Sequence, residues 1–221
     1  MNKTRMAYIP VDSGSLEGIL AIPKGANGIV VFAHGSGSSS HSPRNQQVAQ
    51  ALERVGLATL LFDLLTPKEA ELDQFTGEYR FNIPLLAQRL LAASDWLREN
   101  QEIRHLKIGY FGASTGAAAA LVVASQRPEL VGAVVSRGGR PDLALEVLSK
   151  VGAPTLLIVG GLDSTVLALN HKALRALGPK GHLEIVVGAT HLFEEPGALD
   201  QVAELAGRWF LHHLVLAEAG G

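Results

Sequence analysis

Short apolar runs alternate along the chain with longer stretches in which apolar residues return every third or fourth place. The runs GIVVFA (28–33), ATLLFD (58–63), LKIGYFG (106–112), VGAVVSR (131–137), PTLLIVG (154–160) and LEIVVG (183–188) are continuously apolar. Strands of this kind are covered on both faces, as in a parallel sheet between two helix layers. In residues 84–97, Leu86, Leu90, Ala93 and Leu97 mark one stripe at helical spacing. Near the start, MAYIPV and SLEGILAI flank Asp12-Ser13-Gly14, a hairpin signal that puts antiparallel strands at the sheet edge. The expectation is a single α/β domain over 1–221, a three-layer α/β/α sandwich with a mostly parallel sheet and an antiparallel N-terminal edge. Nothing between Val131 and Asp163 is long enough for a separate cap domain. Residues 64–81 resist the pattern: with Pro67, Gly77 and four acids, they read as a long loop holding a short helix.

Composition narrows the function classes. The 221 residues are 47% hydrophobic and 18% charged, the profile of one globular domain. A net charge of −2 offers no basic field for nucleic acid or an anionic membrane. With no cysteine there is no disulfide, thiolate metal site or cysteine nucleophile. MNKTRMAYIPVDSG lacks the apolar stretch of a signal peptide, and no apolar run reaches the roughly 18 residues of a membrane span. The expectations are a cytoplasmic monomer or homodimer, with no metal, no cofactor and a small molecule as its partner.

In open parallel sheets, ligands bind beyond the carboxyl ends of the strands. That rule selects His34, Asp63, Ser114, Arg137, Asp163 and His191, and passes over His105, His171 and His182. Gly112-Ala113-Ser114-Thr115-Gly116 matches G-x-S-x-G between a strand and the helical run GAAAALVVASQR. In a nucleophile elbow a strained turn lifts the serine above the sheet, and small neighbours let strand and helix approach. A serine hydroxyl needs a general base oriented by a carboxylate. Asp163 in GGLDS and His191 in GATHLF follow Ser114 at later strand ends, in the required order. Asp163 reads equally as a helix cap, and Asp142 is the rival acid. After the strand 28–33, His34-Gly35-Ser36-Gly37 can present a backbone amide, most plainly that of Ser36, to pair with the Thr115 amide as an oxyanion hole. Arg44, Arg137 and Arg140 are candidates for substrate contact; the structural alternative pairs one of them with Asp63 or a helix end. Glu194 and Glu195 read as stabilising the start of the last helix. The same Gly/Ser loop (35–40) with Asp63 also suggests a dinucleotide-binding unit, but Ser40 stands where its third glycine should be and Pro43 delays the helix.

At these residues the sequence resembles the α/β-hydrolase superfamily, and within it the dienelactone hydrolase-like group. The resemblance runs through HGSGSSSHSPRN (34–45), GYFGASTGAAAAL (109–121), SRGGRPDLA (136–144) and GATHLFEEPGAL (188–199). It looks like a bacterial subgroup, some of whose members are fused to phosphoribosyltransferase domains. What the resemblance implies is a cofactor-free hydrolase with the triad Ser114, Asp163 and His191. The want of a cap insertion between Val131 and Asp163 leaves an open site, which suits esters of small to medium size. Dienelactone hydrolases proper carry cysteine where this chain has Ser114, which points to ordinary esters as substrate. A catalytically silent binding protein on the same fold is the other class to be tested.

Overall fold

The computed structural model describes residues 3–215. The hairpin forms as expected, β1 (Lys3–Val11) pairing with β2 (Gly14–Ile22) in antiparallel register. Then follow β3 (Ile29–Ala33), α1 (Pro43–Arg54), β4 (Ala58–Phe62), α2 (Pro67–Thr76), α3 (Ile83–Glu99), β5 (Ile108–Ala113) and α4 (Thr115–Gln126). After β6 (Val131–Arg137) comes a 3₁₀ segment (Pro141–Lys150), then β7 (Thr155–Gly160), α5 (Ser164–Leu177), β8 (Gly181–Val186) and α6 (Ala198–Phe210).

The sheet order is β1-β2-β4-β3-β5-β6-β7-β8, with β2 antiparallel to β4 and every later pair parallel. Every residue of β3, β4, β5 and β7 is buried, which is why these strands read as unbroken apolar runs. One face packs on α3, α4, the 3₁₀ segment and α5, through residues such as Leu90, Leu121, Leu148 and Ala173. The other face packs on α1 and α6, through Leu52, Val202 and Phe210. The three-layer α/β/α fold is therefore present, parallel strand ends converging on one side.

Two expectations shift. The last strand runs over 181–186, two residues earlier than its apolar centre suggested, because Val187 and Gly188 (φ 77°) turn the chain out of the sheet edge. Residues 67–76 form a full ten-residue helix, α2. Thr66 and Glu69 make a reciprocal capping box, Pro67 sits in the first turn and Gly77 closes the helix in the left-handed conformation. Among the described residues no helix is long and apolar enough to cross a membrane. None of their His, Asp and Glu side chains form a cluster of three that could hold a metal ion.

Candidate active site

The G-x-S-x-G glycines are dictated by contact. A Cβ on Gly112 would lie 2.7 Å from the Ala117 nitrogen, and one on Gly116 would collide with the Ala33 carbonyl and stand 2.5 Å from that of His34. Only hydrogen fits at either place, so α4 can cross directly over the ends of β3 and β5. Between them Ser114 takes φ 49° and ψ −119°, an uncommon conformation for a residue with a side chain. The surrounding backbone holds it there. Ser114 N–H donates to the Arg137 carbonyl (3.3 Å), and its own carbonyl accepts from the amides of Ala117 (3.2 Å) and Arg140 (3.0 Å). The Ser114 hydroxyl has no hydrogen-bond partner among the described residues.

Asp163 and His191 meet because their loops are tied together. Gly161 N–H donates to Val186 O and Leu162 N–H to Ala189 O, both at 2.9 Å. Asp163 caps α5 with Oδ1, which accepts from Val166 N–H at 3.2 Å, while Oδ2 accepts from His191 Nδ1–H at 2.6 Å. One carboxylate oxygen thus serves the helix start and the other meets the histidine. The carboxylate at Nδ1 leaves Nε2 with the free lone pair of the neutral ring. Ala113 pairs with Arg137, so Gly138 flanks Ser114 on the neighbouring strand end. The His191 ring lies over Gly138, whose absent Cβ would be 3.5 Å from Cε1 and Nδ1. The imidazole thus stands beside the serine turn without a serine–histidine hydrogen bond. Such bonds are often long before substrate binds.

The Gly/Ser loop approaches from the other side: a Cβ on Gly35 would stand 3.0 Å from Ser114 Cβ. Its Ser36 amide, the expected oxyanion donor, points to Thr115 Oγ1 at 3.1 Å. The Thr115 amide opens α4, where the first N–H groups of a helix have no intrahelical acceptor. His34 fixes the loop from below. Its Nε2 accepts from Leu64 N–H (3.0 Å), so the proton is on Nδ1, which donates to Gly35 O (2.9 Å). Burial lowers the pKa of His34, against the raising pull of the Gly35 carbonyl and the Asp63 charge. Asp63 accepts from Ser40 N–H at 2.6 Å and so braces the loop.

Two of the three candidate arginines are paired within the chain. Arg140 forms a two-pronged pair with Asp142 (2.8 Å each), which also accounts for the rival acid. Arg44 pairs with Glu194 at 3.1 Å, which ties that acid to α1; the N-cap of α6 is Gly197. Arg137 does not pair with Asp63. It is buried with its guanidinium 5.9 Å from the Phe193 ring centre. Burial foremost, and the charge of Arg44, push its pKa down to about 10.

A cavity of about 280 Å³ lies between the Gly/Ser loop and α2, lined by Ser36, Ser38, Leu65, Ala70, Gln74 and Thr115 among others. The sequence reading did not foresee the part played here by α2, by the His34 ring or by the Thr115 hydroxyl. The signal for α2 was legible in Thr66-Pro67-Lys68-Glu69, a capping-box pattern.

A doubly wound sheet with a strained serine between its central strand and the next helix defines the class of α/β hydrolases. The chain belongs to the dienelactone hydrolase family, whose model matches residues 16–212. It is similar to the crystal structure of a dienelactone hydrolase from Anabaena variabilis, at 58% identity and a TM-score of 0.94, covering 96% of this chain and 99% of that one. Est1E from Butyrivibrio proteoclasticus shares the fold at 16% identity, with a TM-score of 0.80 over 94% of this chain and 98% of its own. A protein of Mycobacterium tuberculosis named a putative phosphoribosyl transferase is 56% identical over 197 residues, which are 89% of this chain and 44% of that protein. The chain thus spans less than half the length of this curated relative.

Proposed function

We propose that the chain is a serine esterase that hydrolyses carboxylic esters of small to medium size. The observation that carries this reading is the 2.6 Å bond between Asp163 and His191 Nδ1, next to a serine held in a strained turn. On this reading Ser114 Oγ attacks the ester carbonyl while His191 Nε2 takes its proton, and Asp163 stabilises the imidazolium. The tetrahedral oxyanion is held by the Thr115 amide and by the Ser36 amide, once the Thr115 hydroxyl swings away from it. The intermediate collapses, His191 protonates the departing alcohol, and an acyl-serine remains. Water then adds by the same route, giving the carboxylic acid and the free hydroxyl.

The mycobacterial relative is named for phosphoribosyl transfer. We assign that chemistry to the larger part of that protein, which this chain does not match. The name thus fits a hydrolase reading of the matched segment.

The test pairs p-nitrophenyl butyrate with a fluorophosphonate label. Wild type should turn over the ester and take up the label. Ser114→Ala should lose the label and lower kcat by about 10⁴–10⁶, and Asp163→Asn should lower kcat by about 10⁴. An unlabelled, inactive wild type, or full activity in Ser114→Ala, overturns the proposal.

A further inference from the structure

The esterase reading gives the surroundings of Ser114 two distinct sides. The departing alcohol must lie within reach of His191, which protonates it. The acyl chain extends away from that side. The 280 Å³ cavity approaches the nucleophile over Gly35, and Ser36 and Thr115, which carry the proposed oxyanion amides, form part of its wall. None of Ser114, Asp163 and His191 lines it; the link to the nucleophile is Gly35 on its wall, whose absent Cβ would stand 3.0 Å from Ser114 Cβ. We propose that this cavity receives the acyl half of the substrate and selects an uncharged acyl group of limited length. The inference rests on the esterase reading.

Size follows from volume. At roughly 30 Å³ for each water-sized group, the cavity holds about nine such groups, close to an octanoyl chain. Selection against charge follows from what the walls already hold. Asp73 and Arg80, the only carboxylate and guanidinium on the wall, are paired with each other at 2.6 Å. Burial raises the Asp73 pKa, but the amides of Arg80 and Tyr79 and the Arg80 guanidinium outweigh this and lower it, so the carboxylate stays charged and bound to its partner. The His34 ring has both nitrogens engaged. Arg44, Arg137 and Arg140 do not line the cavity. A carboxylate on the acyl chain would therefore be desolvated against Leu64, Leu65 and Leu86 with no free cation to meet it. The open polar groups are the side chains of Ser36, Ser38 and Gln74, which have no hydrogen bond among the described residues; all three suit neutral oxygens.

Leu65 and Ala70, with His34 and Ser38, also line an adjoining cavity of about 230 Å³, so these four form the partition between the two spaces. Leu65→Ala should join them, and Ala70→Phe should fill the first.

The experiment measures kcat/KM for p-nitrophenyl esters from acetate to dodecanoate, and for the mono-p-nitrophenyl ester of adipic acid against the hexanoate. The readout within each protein is the octanoate-to-acetate ratio, which does not depend on the active fraction. Wild type should lose at least tenfold between octanoate and dodecanoate, and should prefer hexanoate to the adipate by at least tenfold. Ala70→Phe should lower the ratio at least fivefold, and Leu65→Ala should carry activity out to dodecanoate. Should Ala70→Phe fail to fold, Leu65→Ala decides, since it moves the limit the other way. If esters are cleaved but both variants keep the wild-type ratio, or the adipate matches the hexanoate, the acyl assignment is wrong and the esterase reading stands. A change confined to alcohol length, read with alkyl acetates, likewise overturns it. A wild type that cleaves no ester and takes no fluorophosphonate label removes the esterase reading and this inference together.

Discussion

At the scale of single residues, the site is governed by which atoms can be absent. Gly116 has the Ala33 and His34 carbonyls where a Cβ would go, and backbone cannot step aside as a flexible side chain can. Gly116→Ala should therefore destabilise the protein by roughly 1–3 kcal/mol, read as a thermal midpoint several degrees lower. An unchanged midpoint would show that α4 has room to retreat. This steric necessity is why the serine turn was legible in the sequence: the geometry tolerates few residue types. Asp163 was legible for the same kind of reason, since helix start and histidine partner call for one side chain with two oxygens. The arginines were not. Arg137 packs on the ring of Phe193, and no local pattern announces an aromatic face so far along the chain.

At the scale of elements, α2 departs most from its sequence reading. It buries little beyond Asp73, so no apolar stripe marks it. It is held by its ends and by charge. The Thr66–Glu69 box starts it, Asp73 accepts from Tyr79 and Arg80 beyond its end, and Glu69 pairs with Arg89 of α3 at 2.7 Å. Thr66→Ala should cost about 1 kcal/mol of helix stability. Hydrogen exchange should then quicken across 67–76 while α4 keeps its protection. Equal exchange in variant and wild type would mean that the cap contributes nothing. The strands, by contrast, were placed almost residue by residue, because burial on both faces leaves an unbroken apolar record. The edge strand β8 slipped by two residues for want of that record: most of it is exposed or half-exposed.

At the scale of the whole molecule, the neutral His34 ring links β3, the Gly/Ser loop and the chain after β4, so its protonation bears on global stability. Its pKa is lowered below the ordinary 6.5, chiefly by burial. Between the lowered value and 6.5 the unfolded chain binds the proton that the folded chain refuses. The contribution is therefore complete above pH 6.5 and is lost as pH falls through that window. Glu69 and Asp73, lowered from 4.5 and 3.8, add a separate loss at more acid pH, as pH falls through their depressed values. Thermal midpoints against pH should show wild type declining just below pH 6.5, and His34→Asn should show a shallower first slope. The remainder comes from His213, whose pKa burial and the neighbouring His212 and His182 also lower. Identical profiles would remove His34 from the account. Layer order and sheet polarity were legible in the sequence because alternating strands and helices admit few arrangements. The bridging role of His34 was not, since it depends on an amide 30 positions away.

The bond from the Ser36 amide to Thr115 Oγ1 has a thermodynamic side as well. An N–H group already gripped by its own chain has shed its water and its freedom before any guest arrives. An incoming oxygen then evicts one swivelling hydroxyl instead of an ordered solvent shell. On the proposed chemistry threonine 115 is a resident placeholder, and the step from resting to loaded pocket reduces to a turn about a single side-chain bond.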